Sequence, residues 1–206
     1  MNKRSIASYI KELDRPVFTT GELSAFSGRS PSSVSQTLKY LEREKIVFKI
    51  FRGIWAEAGN RKLTPYSVIP LLLQGHRGYV SFISALHMHG IIEQIPHEIT
   101  VASTDHTRKI KTGIGVFDVH HITPDFFKGF GWYKGEGDFL IAEPEKALVD
   151  CLYISSCRNK RFGYFPELEM GGGFSRKKAE HWVSEIPNQK IRVNVRKKLE
   201  RLLREE

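Results

Sequence analysis

Cysteine is scarce in this chain: Cys151 and Cys157 are the two in 206 residues. Two thiols six positions apart supply neither a disulfide framework nor the paired ligands of a zinc motif. Both are expected as reduced thiols, one of them buried. Long apolar runs are also missing, and the longest falls far short of the roughly twenty residues that cross a bilayer. Met-Asn-Lys-Arg-Ser at the start is not followed by an apolar signal core. These absences lead to the expectation of a cytoplasmic chain with no membrane partner, in a reducing compartment.

Catalytic signatures are equally thin. Gly171-Gly172-Gly173 is not followed by Lys-Ser/Thr, so it is not a phosphate loop, and no Gly-x-Ser-x-Gly elbow occurs. His87 and His89 lie two apart on an expected helix and point to different faces. His120 and His121 diverge on a strand, and no carboxylate cluster accompanies either pair. Glu143, Glu145 and Lys146 read as a helix start, where acids favour the helix dipole. The residues therefore nominate no catalytic group, no metal ligand and no cofactor, and the chain is not expected to be an enzyme.

Positive charge, by contrast, is abundant and unevenly spread. The net charge is +9. Residues 1–60 hold 10 basic against 6 acidic residues, residues 61–173 hold 12 against 12, and residues 174–206 hold 10 against 5. Two basic ends flank a neutral middle, which suits a polyanion partner.

The most informative stretch runs from Phe18 to Trp55. Thr19 and Glu22 have the spacing of a capping box, Leu23 and Phe26 form an apolar i, i+3 pair, and Gly28 is a C-terminal stop. Ser30 then caps a second helix that has Pro31 at its first position. Val34, Leu38 and Leu41 recur at i, i+4 and i+7, one buried stripe. Off that stripe lie Ser32, Ser33, Gln36, Lys39, Tyr40 and Arg43. Serine and glutamine reach base edges; lysine and arginine meet phosphates or guanine. Strand-like Ile46–Ile50 and Ile54–Ala56 follow, joined by Phe51-Arg52-Gly53 with Lys49 and Arg52 on the hairpin. Helix, tight turn, helix and basic hairpin make the pattern of a winged helix-turn-helix. Arg29, Ser32, Ser33, Gln36, Lys39, Tyr40, Arg43, Lys49 and Arg52 are its candidate DNA-binding residues. A first amphipathic helix over 2–13, with Ile6, Tyr9, Ile10 and Leu13 on one face, completes a three-helix core.

Gly59 to Thr64 is polar and turn-like, placing a domain boundary there: 1–60 for the DNA-binding domain and 61–206 for the remainder. Thr64-Pro65 starts a helix that Pro70 kinks or breaks. Beyond it come a helix over Ser81–His89, strands at Glu98–Ala102, Val116–Ile122, Gly131–Lys134 and Asp138–Ala142, and a helix opened by Pro144 with Ala147, Leu148, Cys151 and Leu152 on its apolar face. After the break at the three glycines, Ser175 caps a helix to about Glu185, and a last basic helix carries Val195, Leu199 and Leu202 on one face. The fold class is α+β: an N-terminal winged helix-turn-helix followed by an α+β domain with a mostly antiparallel sheet and C-terminal helices. The last helix turns Arg192, Arg196, Lys197, Lys198 and Arg201 outward. Of these, Arg196, Lys197, Lys198 and Arg201 are candidates for a second, sequence-independent nucleic-acid contact.

Two segments of the second domain carry a family resemblance. The stretch from Tyr79 to Pro96 resembles the Ser-x-x-Ala-Leu-x-x-His-Gly element of AbiEi family antitoxins, matching it in register over Ala85-Leu86-His87-Met88-His89-Gly90. Pro144-Glu145-Lys146-Ala147-Leu148-Val149-Asp150 resembles their Pro-Glu-Lys-Ala-Leu-x-Asp helix. The Gly-Ile-Trp-Ala end of the hairpin fits as well, and the resemblance runs from the helix-turn-helix to about residue 153. It implies a two-domain transcriptional repressor and antitoxin of abortive-infection phage defence. Such a protein binds inverted repeats in its own promoter, with cooperative binding supported by the second domain. It opposes a nucleotidyltransferase-type toxin without a stable complex, the type IV arrangement. Two alternatives are a nucleic-acid-processing enzyme with a winged-helix targeting domain and a stand-alone transcriptional regulator.

Overall fold

The structure, a computed structural model, describes residues 4–135, 137–157, 162, 167–171 and 173–204. Residues 2–3 of the expected first helix and Gly172 of the glycine break lie outside the described residues. Across the described residues the fold is mixed α and β, with eight α-helices and two sheets in which antiparallel pairings predominate. The chain divides into two compact units, residues 1–75 with 111–115, and residues 76–110 with 116–206.

The first unit runs α1 (Ile6–Leu13), β1 (Val17–Thr19), α2 (Thr20–Ser27), α3 (Pro31–Arg43), β2 (Val47–Phe51) and β3 (Ile54–Glu57). Local chemistry sets its boundaries. Ser5 caps α1, which therefore opens at Ile6. Thr19 Oγ1 accepts the Glu22 N–H while Glu22 accepts the Thr19 N–H, the reciprocal capping box expected for α2. Gly28 ends α2 in the left-handed region at φ 66°, and Ser30 caps α3 with Pro31 in its first turn. The strands pair antiparallel in the order β1-β3-β2. Ile6, Ile10, Phe18, Leu23, Val34, Leu38, Leu41, Val47 and Trp55 form one buried cluster, with Tyr9 and Leu13 against it. Phe26 departs from expectation. It is 45% exposed and meets Tyr9 edge-on at 5.3 Å instead of entering the core with Leu23. A 3-10 turn (Pro65–Val68) then passes into the short α4 (Ile69–Leu72). Pro70 lies in the first turn of α4, and the helical run breaks where that proline requires.

The second unit is built on a six-stranded sheet in the order β6-β7-β5-β4-β9-β8. Its elements are β4 (Gly78–Val80), α5 (Phe82–Met88), β5 (Ile99–Ser103), β6 (Arg108–Thr112), β7 (Gly115–His121), β8 (Phe130–Trp132), β9 (Leu140–Ala142), α6 (Pro144–Ser156), α7 (Arg176–Ser184) and α8 (Gln189–Leu202). The tip of the β6–β7 hairpin counts with the first unit. The sheet is mixed: β4–β5 and β8–β9 are antiparallel, while β4–β9 and β5–β7 are parallel. The middle of α6, from Glu145 to Ile154, is buried on every side, with α5, α7 and α8 packed around it. A helix apolar on one face alone would leave another wet; this one is the hub of its unit.

Candidate nucleic-acid interface

The buried stripe of α3 decides which residues are left outside. With Val34, Leu38 and Leu41 inward, Ser32, Ser33, Gln36, Lys39, Tyr40 and Arg43 fall on the opposite side, and all six are exposed. Tyr40 is 59% exposed, its ring turned to solvent. No hydrogen bond or ion pair with another described side chain engages Gln36, Lys39, Tyr40 or Arg43. Ser32 Oγ lies 3.1 Å from Ser30 Oγ. Ser32 aside, the α3 face is thus a row of uncommitted donors, acceptors and cations about a turn apart.

The hairpin stands beside this face. Arg52 is exposed at its two-residue turn with Gly53, whose φ of 71° suits glycine there. Lys49 is exposed on β2, its ammonium 5.9 Å from the Trp55 ring centroid. Two tethers fix the hairpin. The Thr20 N–H donates to the Gly53 carbonyl at 2.9 Å, and the Trp55 indole N–H donates to Thr20 Oγ1 at 3.0 Å.

The remaining candidate cations lie elsewhere. Arg29 is half-buried, and its guanidinium donates to the Arg4 carbonyl at 2.7 Å, joining the α2–α3 turn to the start of α1. In the tail, Arg196, Lys197 and Arg201 are exposed on α8. Lys198 is turned inward, its ammonium donating to Ser155 Oγ at 2.9 Å while burial lowers its pKa. The outward direction expected of Lys198 is therefore corrected: it is a strut between α8 and α6. Arg192 is likewise folded back, donating from Nε to the Ile186 carbonyl at 2.7 Å.

A second polar constellation was not foreseen. Tyr79, Ser81, Lys146 and Asp150 are fully buried in the second unit. The Lys146 ammonium contacts Asp150 Oδ1 and donates to Tyr79 Oη at 3.1 Å. Asp150 Oδ2 accepts from Tyr79 at 3.0 Å and from Ser81 at 2.7 Å. Nζ of Lys146 sits 3.9 Å from the Phe126 ring centroid, a cation–π distance. Burial pushes the Asp150 carboxyl up, outweighing Lys146 and the two hydroxyls, and pushes the Lys146 ammonium down. Burial and the Asp150 charge together raise the Tyr79 phenol well above its usual range. Among the described residues these side-chain hydrogen bonds close within the group, as they do in an internal scaffold. The helical i, i+4 spacing of Lys146 and Asp150 inside Ala147-Leu148-Val149 and Cys151-Leu152 was the signal available for it.

The histidines are dispersed. His87 Nδ1 lies 3.3 Å from the Ile92 carbonyl, and His89 Nε2 lies 2.8 Å from that of Ala142. His120 is buried beside Phe82, and His121 Nδ1 meets the Asp105 carbonyl at 3.1 Å. Among the described residues no three His, Cys, Asp or Glu side chains gather as a metal site, and no helix is long and apolar enough to cross a membrane. Comparison with protein-family models finds none that matches this chain, and comparison with curated proteins finds no match.

Proposed function

We propose that the first unit is a winged helix-turn-helix that reads double-stranded DNA, with α3 as the recognition helix and the β2–β3 hairpin as the wing. The observation that carries this reading is the exposed, uncommitted face of α3, opposite its buried stripe and beside a hairpin bearing Lys49 and Arg52. A recognition helix needs side chains free to satisfy base edges, and Gln36 with Ser32 or Ser33 supplies them; Lys39, Arg43 and Arg52 supply phosphate contacts. Arg29 supports the turn from within. The chain then acts as a transcriptional repressor of its own operon. The resemblance of its second unit to AbiEi antitoxins extends this to antitoxin activity against a nucleotidyltransferase-type toxin, without a stable complex. The test is footprinting of the full chain on the region upstream of its own gene, paired with co-expression of any neighbouring nucleotidyltransferase. Protection of inverted repeats and rescue of growth are expected. Absence of protection with metal-dependent cleavage of the DNA would refute the repressor reading and favour a nucleic-acid-processing enzyme.

A further inference from the structure

The helix α3 carries a single carboxylate, Glu42. It lies four residues after Leu38 and eight after Val34, so it flanks the buried stripe and stands away from Gln36 and Arg43. Its Oε1 accepts the backbone N–H of Lys49 at 3.3 Å. The strand β2 is an edge strand, and a backbone group on its outer side has no strand to pair with. Immediately beyond Lys49 the β2–β3 register shifts before Phe51, a bulge that bends the strand toward the turn. The carboxylate thus grips the hairpin at the residue before its bend, while Thr20 holds the tip.

Resting on the DNA-binding reading above, we infer that Glu42 is a positioning residue. It contacts no DNA; it fixes the angle between recognition helix and wing so that Lys49 and Arg52 reach phosphates while α3 lies in the groove. The sign of the effect makes this testable. A carboxylate near DNA is otherwise a repulsive charge whose removal strengthens binding to any sequence.

Three full-length proteins decide it: the wild type, Glu42→Ala and Glu42→Gln. The glutamine keeps an acceptor oxygen without the charge; the alanine loses both. Binding is measured across a salt titration on the footprinted upstream duplex and on a random duplex of equal length. Amide exchange of Lys49 is followed in each protein without DNA. The expected result is a loss of roughly two- to tenfold in specific affinity for Glu42→Ala, the range one hydrogen bond supplies. A shallower salt slope accompanies it, Glu42→Gln restores most of the loss, and the Lys49 amide exchanges faster in the alanine variant alone. Equal tightening on both duplexes by both variants would overturn the inference and leave the DNA reading standing. So would an unchanged Lys49 amide in the alanine variant. Failure of the wild type to bind either duplex would overturn both together.

Discussion

Replacing Lys146 by Met isolates the electrostatics of the buried cluster. Both members of the Lys146–Asp150 pair are wholly inaccessible. Without its cation, Asp150 keeps the hydroxyls of Tyr79 and Ser81 but stands as an unpaired buried charge, which costs about 3–5 kcal/mol. Asp150→Asn leaves Lys146 with the Tyr79 oxygen and the Phe126 face, at a similar cost of about 3–5 kcal/mol. The double variant holds no charge, and its Asn amide oxygen still accepts from Tyr79 and Ser81. What remains is imperfect hydrogen bonding, about 1–3 kcal/mol. The double variant is therefore expected to fall short of the sum of the singles by about 3 kcal/mol or more, a coupling that double-mutant cycles resolve. Urea unfolding of the four proteins at neutral pH measures it, provided the denaturant slope is unchanged across the set. Additive singles, or singles within about 0.5 kcal/mol of wild type, would refute the claim that burial makes each charge depend on the other.

On the proposed operator, Gln36→Ala is expected to cost about 1–3 kcal/mol and little on random DNA, whereas Lys39→Ala weakens both and lowers the salt slope by roughly one unit; equal losses from Gln36→Ala on both duplexes would remove its base-reading role. In the tail, changing Arg196, Lys197 and Arg201 to Gln, with Lys198 left as a strut, is expected to lower nucleic-acid affinity at low salt and to fade as salt rises; unchanged titrations would leave α8 as ordinary solvated surface. Burial raises the Asp105 carboxyl, but the His106 N–H and the Arg108 guanidinium outweigh it, so its pKa is lowered in the fold. A lowered carboxyl contributes stability that is complete above the unfolded value, about 4, and is lost as pH falls through the folded one. Asp105→Asn is therefore expected to flatten the acid limb of the stability profile and to reduce stability near neutral pH; an acid limb as steep as the wild type's would contradict this.

The region around α2 and α3 was legible in the chain because its rules are local. Thr19 and Glu22, Gly28, and Ser30 with Pro31 act within four residues of one another, so their spacing alone sets where each helix starts and stops. The stripe of Val34, Leu38 and Leu41 follows from helical period and names the outward face by exclusion. Edge strand β6 was not legible: Arg108, Lys109 and Lys111 surround a single buried Ile110, and edge charges obscure the alternation that marks a strand. Short β1 and β4 offer three residues each, too few to show any period.

Tertiary structure decided what each polar group does. Arg29 and Lys198 have the sequence character of free cations, yet one donates to Arg4 across 25 positions and the other to Ser155 across 43. Lys146 and Asp150 sit in a segment that by itself reads as an ordinary helix start. They are buried because α5, α7 and α8 close around α6, and Tyr79 and Ser81, 71 and 69 positions before Asp150, supply the hydroxyls that satisfy the carboxylate. Backbone caps depend on neighbours that the chain brings along with it. The state of a long charged side chain depends on which distant surface meets it, and that is settled when the core forms.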